Sequence, residues 1–216
     1  MQAQPLSQTT LSSLPKNISV PGYDRQALQS GIVHVGVGGF HRSHQAFYTE
    51  NYLNQTQDLR WGICGIGLRE ADRAIQQKLA EQDFLYSLLV KHPNGQTNVQ
   101  VIGCMTDFLL APDDPEAVIN QMAADETKIV SLTITEGGYN CDPSTGEFDL
   151  ANPDVQHDIA NPDKPRLIFG YLAAALQRRR AAGKTPFTIQ SCDNVQHNGD
   201  VTRKMLVSYI NAYDSE

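Results

Sequence analysis

Residues 32–44 read IVHVGVGGFHRSH, and this stretch decides the fold class. Its first five residues form a β-branched run that ends in glycine, which predicts a short buried strand over 32–36. A glycine turn follows, and a plausible helix over 41–53 comes next. A strand, a glycine-rich turn and a helix in this order are the context of a phosphate-binding dinucleotide fingerprint.

The glycines of this turn have separable roles. Gly36 permits the tight turn, and Gly38 lets a pyrophosphate approach the backbone near the positive end of the helix dipole. His41 occupies the third fingerprint position, where glycine or alanine is usual, so the pattern is imperfect. A tight turn without a ligand is the alternative, and the glycines alone leave it open. No Gly-Lys-Ser/Thr follows, so a P-loop is not indicated.

Strands and helices alternate along the chain. The apolar periodicity predicts further strands over 60–66, 128–135 and 187–192, and helices over 70–82, 113–125, 166–183 and 200–213. This alternation predicts an α/β fold, a Rossmann-like doubly wound, mostly parallel sheet with helices on both faces.

Two segments interrupt the alternation. Residues 84–92 and 97–105 flank Asn94-Gly95, a strong turn signal, and predict an antiparallel hairpin excursion around 84–105. Residues 141–164 contain three prolines and several aspartates, and we expect a loop there.

Composition limits the function classes. The 216 residues are 40% hydrophobic and 19% charged, with a formal net charge of -7, which argues against nucleic acid as a partner. No run approaches the roughly 18 apolar residues of a membrane span. Residues 1–20 have no apolar signal core, and we expect a flexible arm followed by one domain over 21–216. The four cysteines form no CxxC pair, so a zinc ribbon or disulfide framework is not expected. We expect the protein to be in a reducing cytoplasm.

Polar residues follow the predicted strands at the edge where open α/β sheets bind ligands. Thr135 and Glu136 end one strand, and Asn194 ends the last, where its amide could orient a carbonyl or hydroxyl. The alternative is that Asp193 and Asn194 only form an Asx turn, or that Asp193 caps the next helix. Cys192 has no recognisable base partner and is expected to be a buried thiol.

An acidic residue after the second strand would bind adenosine ribose hydroxyls. Glu70 and Asp72 are the candidates, and Asp72 lies 36 residues beyond Gly36 (72 − 36), later than the usual spacing of about 20. They could equally be solvated residues at a helix start. Arg69 and Arg73 flank them, so a 2′-phosphate is not excluded.

Basic residues beside the turn offer two further readings. The guanidinium of Arg42 could pair with a phosphate, or lie on the surface. His41 and His44 have H-x-x-H spacing, but no third ligand is apparent, and we expect no metal.

Several motifs in collinear order resemble the mannitol 2-dehydrogenase family of polyol-specific long-chain dehydrogenases, from about residue 15 to the end. They are GIVHVGVGGFHRSHQAFY (31–48), WGICGIGLREADR (61–73), IVSLTITEGGY (129–139), FTIQSCDNVQHNG (187–199) and VTRK (201–204). The GxGxFHRxH form is this family's own version of the fingerprint, which accounts for His41.

The resemblance implies a set of cofactor and catalytic residues. NAD contacts are implied at the turn residues Gly36, Val37, Gly38, Gly39, Phe40, His41 and Arg42. Asp72 is implied as the ribose acid, with NADP less expected, although Ala71 stands where relatives often carry a second acid. Thr135 and Glu136 complete the expected cofactor edge, and Asn194 is implied as the residue that polarises the reacting C–O group.

The resemblance also implies a polyol dehydrogenase reaction and a catalytic domain that lies outside these residues. Family members continue into a mostly helical catalytic domain with a general-base lysine, so we expect this sequence to be the NAD-binding part and inactive alone. The expected partner is a small polyol or ketose, with mannitol and fructose favoured and the oligomeric state, monomer included, left open. The alternatives are a fructuronate or tagaturonate type of sugar-acid reductase, or a truncated, non-catalytic NAD-binding product.

Overall fold

The computed structural model describes residues 5–213 as a mixed α/β fold. Its strands, in chain order, are β1 Ile18–Ser19, β2 Ile32–Val35, β3 Ile63–Gly67, β4 Tyr86–Lys91, β5 Thr97–Ile102, β6 Met105–Leu110, β7 Ile129–Leu132 and β8 Thr188–Ser191. Its α-helices are α1 Gly39–Ser43, α2 Gln45–Thr56, α3 Arg73–Ala80, α4 Pro115–Ala123, α5 Pro153–Ala160, α6 Ile168–Ala181 and α7 Asn198–Tyr213. Short 3₁₀ turns include Glu70–Asp72 and Glu136–Tyr139.

The main sheet has five strands in the order β6-β3-β2-β7-β8, and every neighbouring pair is parallel. The expected Rossmann-like, mostly parallel sheet is therefore confirmed. The chain builds outward from β2 to β3 and β6, and then returns to add β7 and β8 on the other side. The strand order reverses between β2 and β7, and the carboxyl ends of these two strands form the crevice where such sheets bind ligands.

The pleat of β2 divides the core between the two faces of the sheet. Val33 and Val35 belong to the apolar cluster that also contains the buried side chains of α4, α6 and α7. Ile32 belongs to the second cluster, which contains buried residues of α2, α3 and the hairpin. His34 lies on the same face as Ile32 by strand alternation, although it is polar and fully buried.

The expected antiparallel hairpin is present as β4 and β5, with Gly95 in the left-handed region at φ +82°. The predicted strand over 97–105 is wrong in its extent, because the chain turns at Gly103 and then starts β6 in the main sheet. A Cβ on Gly103 would lie 2.5 Å from Pro21, and its carbonyl accepts from Arg25 Nε at 2.8 Å. These contacts between distant residues end the hairpin.

The loop expected over 141–164 contains a helix, α5, and that prediction is corrected. Asn152 accepts from the N–H of Asp154 at 2.9 Å as the N-cap, and Pro153 occupies the first helical position. Val155 is fully buried in the larger core cluster and anchors the helix.

The expected flexible arm over 1–20 is packed against the hairpin in the part that the structure describes. Ile18 and Ser19 pair in parallel with β5, and the N–H of Gln8 donates to the carboxylate of Asp83 at 2.8 Å. Residues 1–4 lie outside the described residues, and the division of the chain into 1–20 and 21–216 stays a prediction. Within residues 5–213, no helix has the length and apolarity needed to cross a bilayer.

Candidate functional site

The glycine turn lies at the carboxyl end of β2, at the point where the strand order reverses. Gly36 has φ +96°, and a Cβ there would lie 2.2 Å from the carbonyl oxygen of Thr133 on the neighbouring segment. Only glycine fits this close approach, because any side chain would collide with backbone at a φ that L-residues avoid. Gly36 is therefore a requirement of the fold itself.

Gly38 and Gly39 differ from Gly36 because the protein itself does not need them. Gly38 has φ −90° and ψ −170°, and a Cβ there would be 3.9 Å from the nearest protein atom. A Cβ on Gly39 would meet no atom within 4 Å. Both residues are exposed at the start of α1. The open space above them is a cradle that a pyrophosphate would fill, and the fold leaves it free of side chains.

The other turn residues face in different directions. Phe40 is 52% exposed, and its ring stacks on His44 at 4.6 Å between centroids. The side chain of Val37 is buried in the core, so only its backbone can face a ligand. The Nε of Arg42 donates to Gly38 O at 3.2 Å, and within residues 5–213 its terminal guanidinium nitrogens have no hydrogen-bond partner. Arg42 is thus positioned beside the turn with donors to spare.

His41 was expected to contact the cofactor, and its side chain does not fit that role. The ring is fully buried beneath the turn and stacks on His34 with ring centroids 3.7 Å apart. Burial lowers the pKa of His41 to about 4, so the ring is neutral at pH 7. Any direct contribution from His41 to a ligand would therefore come from its backbone, and the implied contact at this position stays a prediction.

Asp72 lies beyond the end of β3, in the 3₁₀ turn that starts the next helical segment. Its carboxylate accepts from the N–H of Arg69 at 3.0 Å, and its Cβ is close to Gly67, where a Cβ would lie 2.7 Å away. The long spacing from Gly36 is taken up by α1, α2 and the loop to β3. Asp72 therefore reaches the carboxyl edge of the sheet despite its late position in the sequence.

The two arginines beside Asp72 are not equivalent. Arg73 is held between two carboxylates, Glu70 and Asp113, and donates to Asp113 at 2.6 and 2.8 Å. These partners raise the pKa of Arg73 and lower those of Glu70 and Asp113. Arg69 is exposed on the surface. Glu70 is thereby engaged as an ion-pair partner, which leaves Asp72 as the acid at this edge.

The segment after β7 forms the opposite wall of the crevice. The predicted strand over 128–135 ends earlier, at Leu132, and Thr135 adopts φ +61° and ψ 170°. This conformation is sparsely populated for a residue with a side chain and occurs where surrounding contacts impose it. Thr135 and Glu136 are both exposed at this edge.

Asp193 imposes the conformation of that segment. Its carboxylate accepts from the N–H groups of Ile134 and Thr135 at 3.1 and 2.9 Å and from the Tyr139 hydroxyl at 2.7 Å. Burial and this carboxylate raise the pKa of Tyr139 to about 12. Asp193 neither caps α7 nor simply closes an Asx turn; it ties the end of β8 to the end of β7.

Asn194, next in the chain, is exposed at the same edge. Cys192 was expected to be a buried thiol and is half-buried instead, with a pKa raised by partial burial and by Asp193. Such a thiol is not an activated nucleophile. Among residues 5–213, no group of three or more His, Cys, Asp and Glu side chains is arranged to hold a metal ion.

Sequence reasoning missed two residues of this region, His34 and Tyr139. A histidine within an otherwise apolar strand was the available signal for His34, since a buried polar group needs partners. Tyr139 carried no local signal, because its hydroxyl partners lie more than 50 residues away in the sequence.

The strand order, the glycine turn at its reversal and the acid beyond the next strand define a dinucleotide-binding domain of the Rossmann class. Residues 30–216 match the family model described as the mannitol dehydrogenase Rossmann domain. The chain belongs to the mannitol dehydrogenase family.

Its relatives are longer than these 216 residues. A polyol:NADP oxidoreductase of Gluconobacter oxydans is 48% identical over 98% of this chain and 44% of its own length. A mannitol 2-dehydrogenase of Pyrenophora tritici-repentis is 48% identical over 94% of this chain and 36% of its own. The solved structure of Pseudomonas fluorescens mannitol 2-dehydrogenase, a ternary complex with NAD and D-mannitol, matches with a TM-score of 0.94 and 46% identity over 98% of this chain and 43% of its own. The chain thus spans less than half the length of these relatives.

Proposed function

We propose that this chain is the NAD-binding part of a polyol 2-dehydrogenase that interconverts D-mannitol and D-fructose. The observation that carries the proposal is the contrast between the glycines of the turn. The fold requires Gly36, whereas Gly38 and Gly39 lie under space that the residues described by the structure leave open. A ligand that approaches the backbone closely accounts for these two glycines, and the NAD complex of the Pseudomonas fluorescens relative supports a nicotinamide dinucleotide as that ligand.

The residues of the turn would bind the pyrophosphate. The peptide N–H groups at the start of α1 and the guanidinium of Arg42 offer hydrogen-bond donors and positive potential at one place. Asp72 would accept hydrogen bonds from the adenosine ribose. Thr135 and Glu136 would line the nicotinamide side of the crevice. These assignments rest on position at the carboxyl edge of the sheet.

Asn194 would act on the substrate. A bound nicotinamide would supply the hydride acceptor for C2 of the polyol. The amide of Asn194 would donate to the substrate oxygen as negative charge develops there. The resemblance puts the proton-accepting lysine in a part of the family's chain that these 216 residues do not include. We therefore expect the purified chain to bind the cofactor but to oxidise no mannitol in a coupled NADH absorbance assay.

NAD is our preferred cofactor, and NADP is the second candidate. The carboxylate of Asp72 would repel a 2′-phosphate, and Arg73 is already held by two acids. The name of the Gluconobacter oxydans relative, a polyol:NADP oxidoreductase, favours NADP. A sugar-acid substrate in place of mannitol, and a purely nucleotide-binding role, remain as further candidates.

The four cysteines are free thiols, which supports the expected cytoplasmic compartment.

The test uses calorimetric titration of the chain with NADH, NAD and NADPH. Gly38→Ala adds one methyl group where the protein has room, at a backbone conformation that alanine adopts readily. We expect the thermal midpoint of unfolding to stay unchanged. The NADH affinity should become about tenfold weaker, which corresponds to a loss of about 1.4 kcal/mol of binding free energy.

The matched control is Gly199→Ala in α7, where a Cβ would also meet no atom within 4 Å. It should leave NADH binding as it is and, because alanine favours a helix over glycine, raise the free energy of unfolding by no more than about 1 kcal/mol. Equal binding of NADH by the wild type and Gly38→Ala would contradict the proposed site. Tighter binding of NADPH than of NADH would favour the second cofactor, and no binding of any dinucleotide would reject the function.

A further inference from the structure

A chain of buried polar side chains lies directly beneath the glycine turn. His34, in the middle of β2, and His41, in α1, are both fully buried and stacked, with an angle of 11° between their rings. Two buried imidazoles in contact require a defined pattern of protons, because each unpaired polar atom in the core costs stability.

The pattern starts at the Gly36 carbonyl oxygen, which can only accept. The Thr133 hydroxyl donates to this oxygen at 2.7 Å, and His34 Nε2 lies 3.1 Å from the same oxygen and 3.0 Å from Thr133 Oγ1. Since the single proton of Thr133 is used on Gly36, both contacts of His34 Nε2 require that this nitrogen carries the proton. His34 is therefore the Nε2–H tautomer.

The remaining contacts then follow in one direction. His34 Nδ1 must accept, and its 2.8 Å contact with Ser131 Oγ takes the hydroxyl proton of Ser131. Ser131 Oγ in turn accepts from Gln45 Nε2 at 2.9 Å. Ser131 Oγ also lies 3.3 Å from Gln45 Oε1, which is farther than from Gln45 Nε2. Because the hydroxyl proton of Ser131 is donated to His34, this longer contact is not a hydrogen bond.

His41 is at the far end of this chain. Gln45 Oε1 accepts from His41 Nδ1 at 3.1 Å, so His41 is the Nδ1–H tautomer, opposite to His34. Its Nε2 is buried and has no hydrogen-bond partner among the described residues, in agreement with a nitrogen that bears no proton. Burial lowers the pKa of both rings, which keeps them neutral at pH 7.

These hydrogen bonds end on the first peptide of the glycine turn, Gly36–Val37. In a trans peptide, the C=O and N–H groups point to opposite sides. The Gly36 carbonyl oxygen also accepts from the N–H of Gly38 at 2.7 Å. Held by this bond together with Thr133 and His34, the Gly36–Val37 peptide turns the N–H of Val37 away from the buried histidines. That direction is toward the open side of the turn.

We propose that His34 and His41 are positioning residues that orient the Gly36–Val37 peptide for the cofactor pyrophosphate through this one-way chain of hydrogen bonds. The inference rests on the proposed cofactor site but concerns two side chains that are buried beneath it. This role explains why a histidine replaces the usual small residue of the fingerprint. The ring of His41 stacks on His34 and completes the network of hydrogen bonds, which glycine could not do.

Nitrogen NMR of the histidine rings tests the proton pattern without any ligand. In the wild-type chain at pH 7.5, long-range ¹H–¹⁵N correlations should report the Nε2–H tautomer for His34 and the Nδ1–H tautomer for His41. The variants His34→Leu and His41→Phe assign the signals. The opposite tautomer at His34, or a mixture of tautomers, would overturn the proposal.

Cofactor affinity tests the consequence. His34→Leu removes the donor to Gly36, and His34→Gln keeps an N–H donor at the position of Nε2. We expect the NADH dissociation constant to rise about tenfold in His34→Leu and to return to within about threefold of the wild type in His34→Gln. Gln45→Met interrupts the hydrogen bonds that link the two histidine rings. This variant should weaken NADH binding by a smaller factor.

The control is His44→Ala. His44 is exposed in the same region and takes no part in this network of hydrogen bonds. This variant should bind NADH as the wild type does. If folded His34→Leu, with wild-type circular dichroism, binds NADH normally, the positioning role is wrong although the cofactor site stands. If wild type itself does not bind any dinucleotide, the proposed function fails, and the NMR result still decides the proton pattern.

Discussion

Single residues at the turn divide into those that the fold needs and those where the fold leaves room for a side chain. Gly36 combines φ +96° with a carbonyl oxygen 2.2 Å from its missing Cβ, so replacement would damage the turn whether or not a cofactor binds. Gly38 has an ordinary conformation and free space. A mutation at Gly36 therefore cannot report on binding, and one at Gly38 can.

The two buried histidines make the stability of the protein depend on acid. Burial lowers the pKa of His41 from 6.5 to about 4 and also lowers that of His34, and the nearby charge of Arg42 opposes protonation of His41. The unfolded chain takes up these protons near pH 6.5. The stabilisation is thus complete above pH 6.5, and is lost as the pH falls toward the folded-state pKa values.

We expect the free energy of unfolding to decrease by a few kcal/mol between pH 7 and pH 4.5, at up to about 1.4 kcal/mol per pH unit for each histidine. Urea unfolding at a series of pH values measures this slope. His41→Phe should make it shallower. A slope that begins only below pH 4, where surface carboxylates titrate, would show that the histidines do not contribute.

At the scale of elements, the turn after β7 is held by a residue that follows β8. The carboxylate of Asp193 has three donors, two of them backbone N–H groups of the strained segment around Thr135. An asparagine offers one acceptor oxygen and directs an NH₂ group at a second donor. We expect Asp193→Asn to lower the free energy of unfolding by about 1 kcal/mol, because one of these exposed or partly buried donors would lose its acceptor.

Chemical denaturation of Asp193→Asn and of the adjacent variant Asn194→Ala provides the comparison. Asn194 is exposed, so its truncation should change stability by no more than about 0.5 kcal/mol. Equal stability of both variants would mean that Asp193 does not fix the turn.

At the scale of the whole molecule, the two core clusters share the central sheet. Leu172 of α6 is fully buried on one face, while Trp61 packs on the cluster of the other face. Because β2, β3 and β7 contribute to both, we expect the faces to unfold together. Leu172→Ala should cost about 2–5 kcal/mol and shift the unfolding midpoint equally when followed by Trp61 fluorescence and by circular dichroism.

Separate midpoints by the two signals would show instead that the faces unfold independently. The exposed Leu150→Ala is the matched control, since 43% of its surface is already accessible. It should leave both midpoints close to the wild-type value.

Local chemistry made much of this protein predictable. The β-branched run and Gly36 predicted β2 and its turn, and Asn94-Gly95 predicted the hairpin. The alternation of strands and helices predicted a parallel sheet, because parallel strands need crossovers. Helix α5 was missed although Asn152-Pro153 is a recognisable helix start, so that error lay in weighing the prolines as loop residues.

Contacts between distant residues decided the rest. The resemblance implied a cofactor contact at His41, and only the structure shows that its ring is buried and stacked on His34. Asp193 could not be assigned to Thr135, 58 residues away, from either segment alone. The sequence by itself determined where strands end and which backbone can turn, because those depend on neighbours in the chain. Tertiary structure decided which polar groups meet and which face a ligand, because a buried donor takes whichever acceptor the packing brings to it.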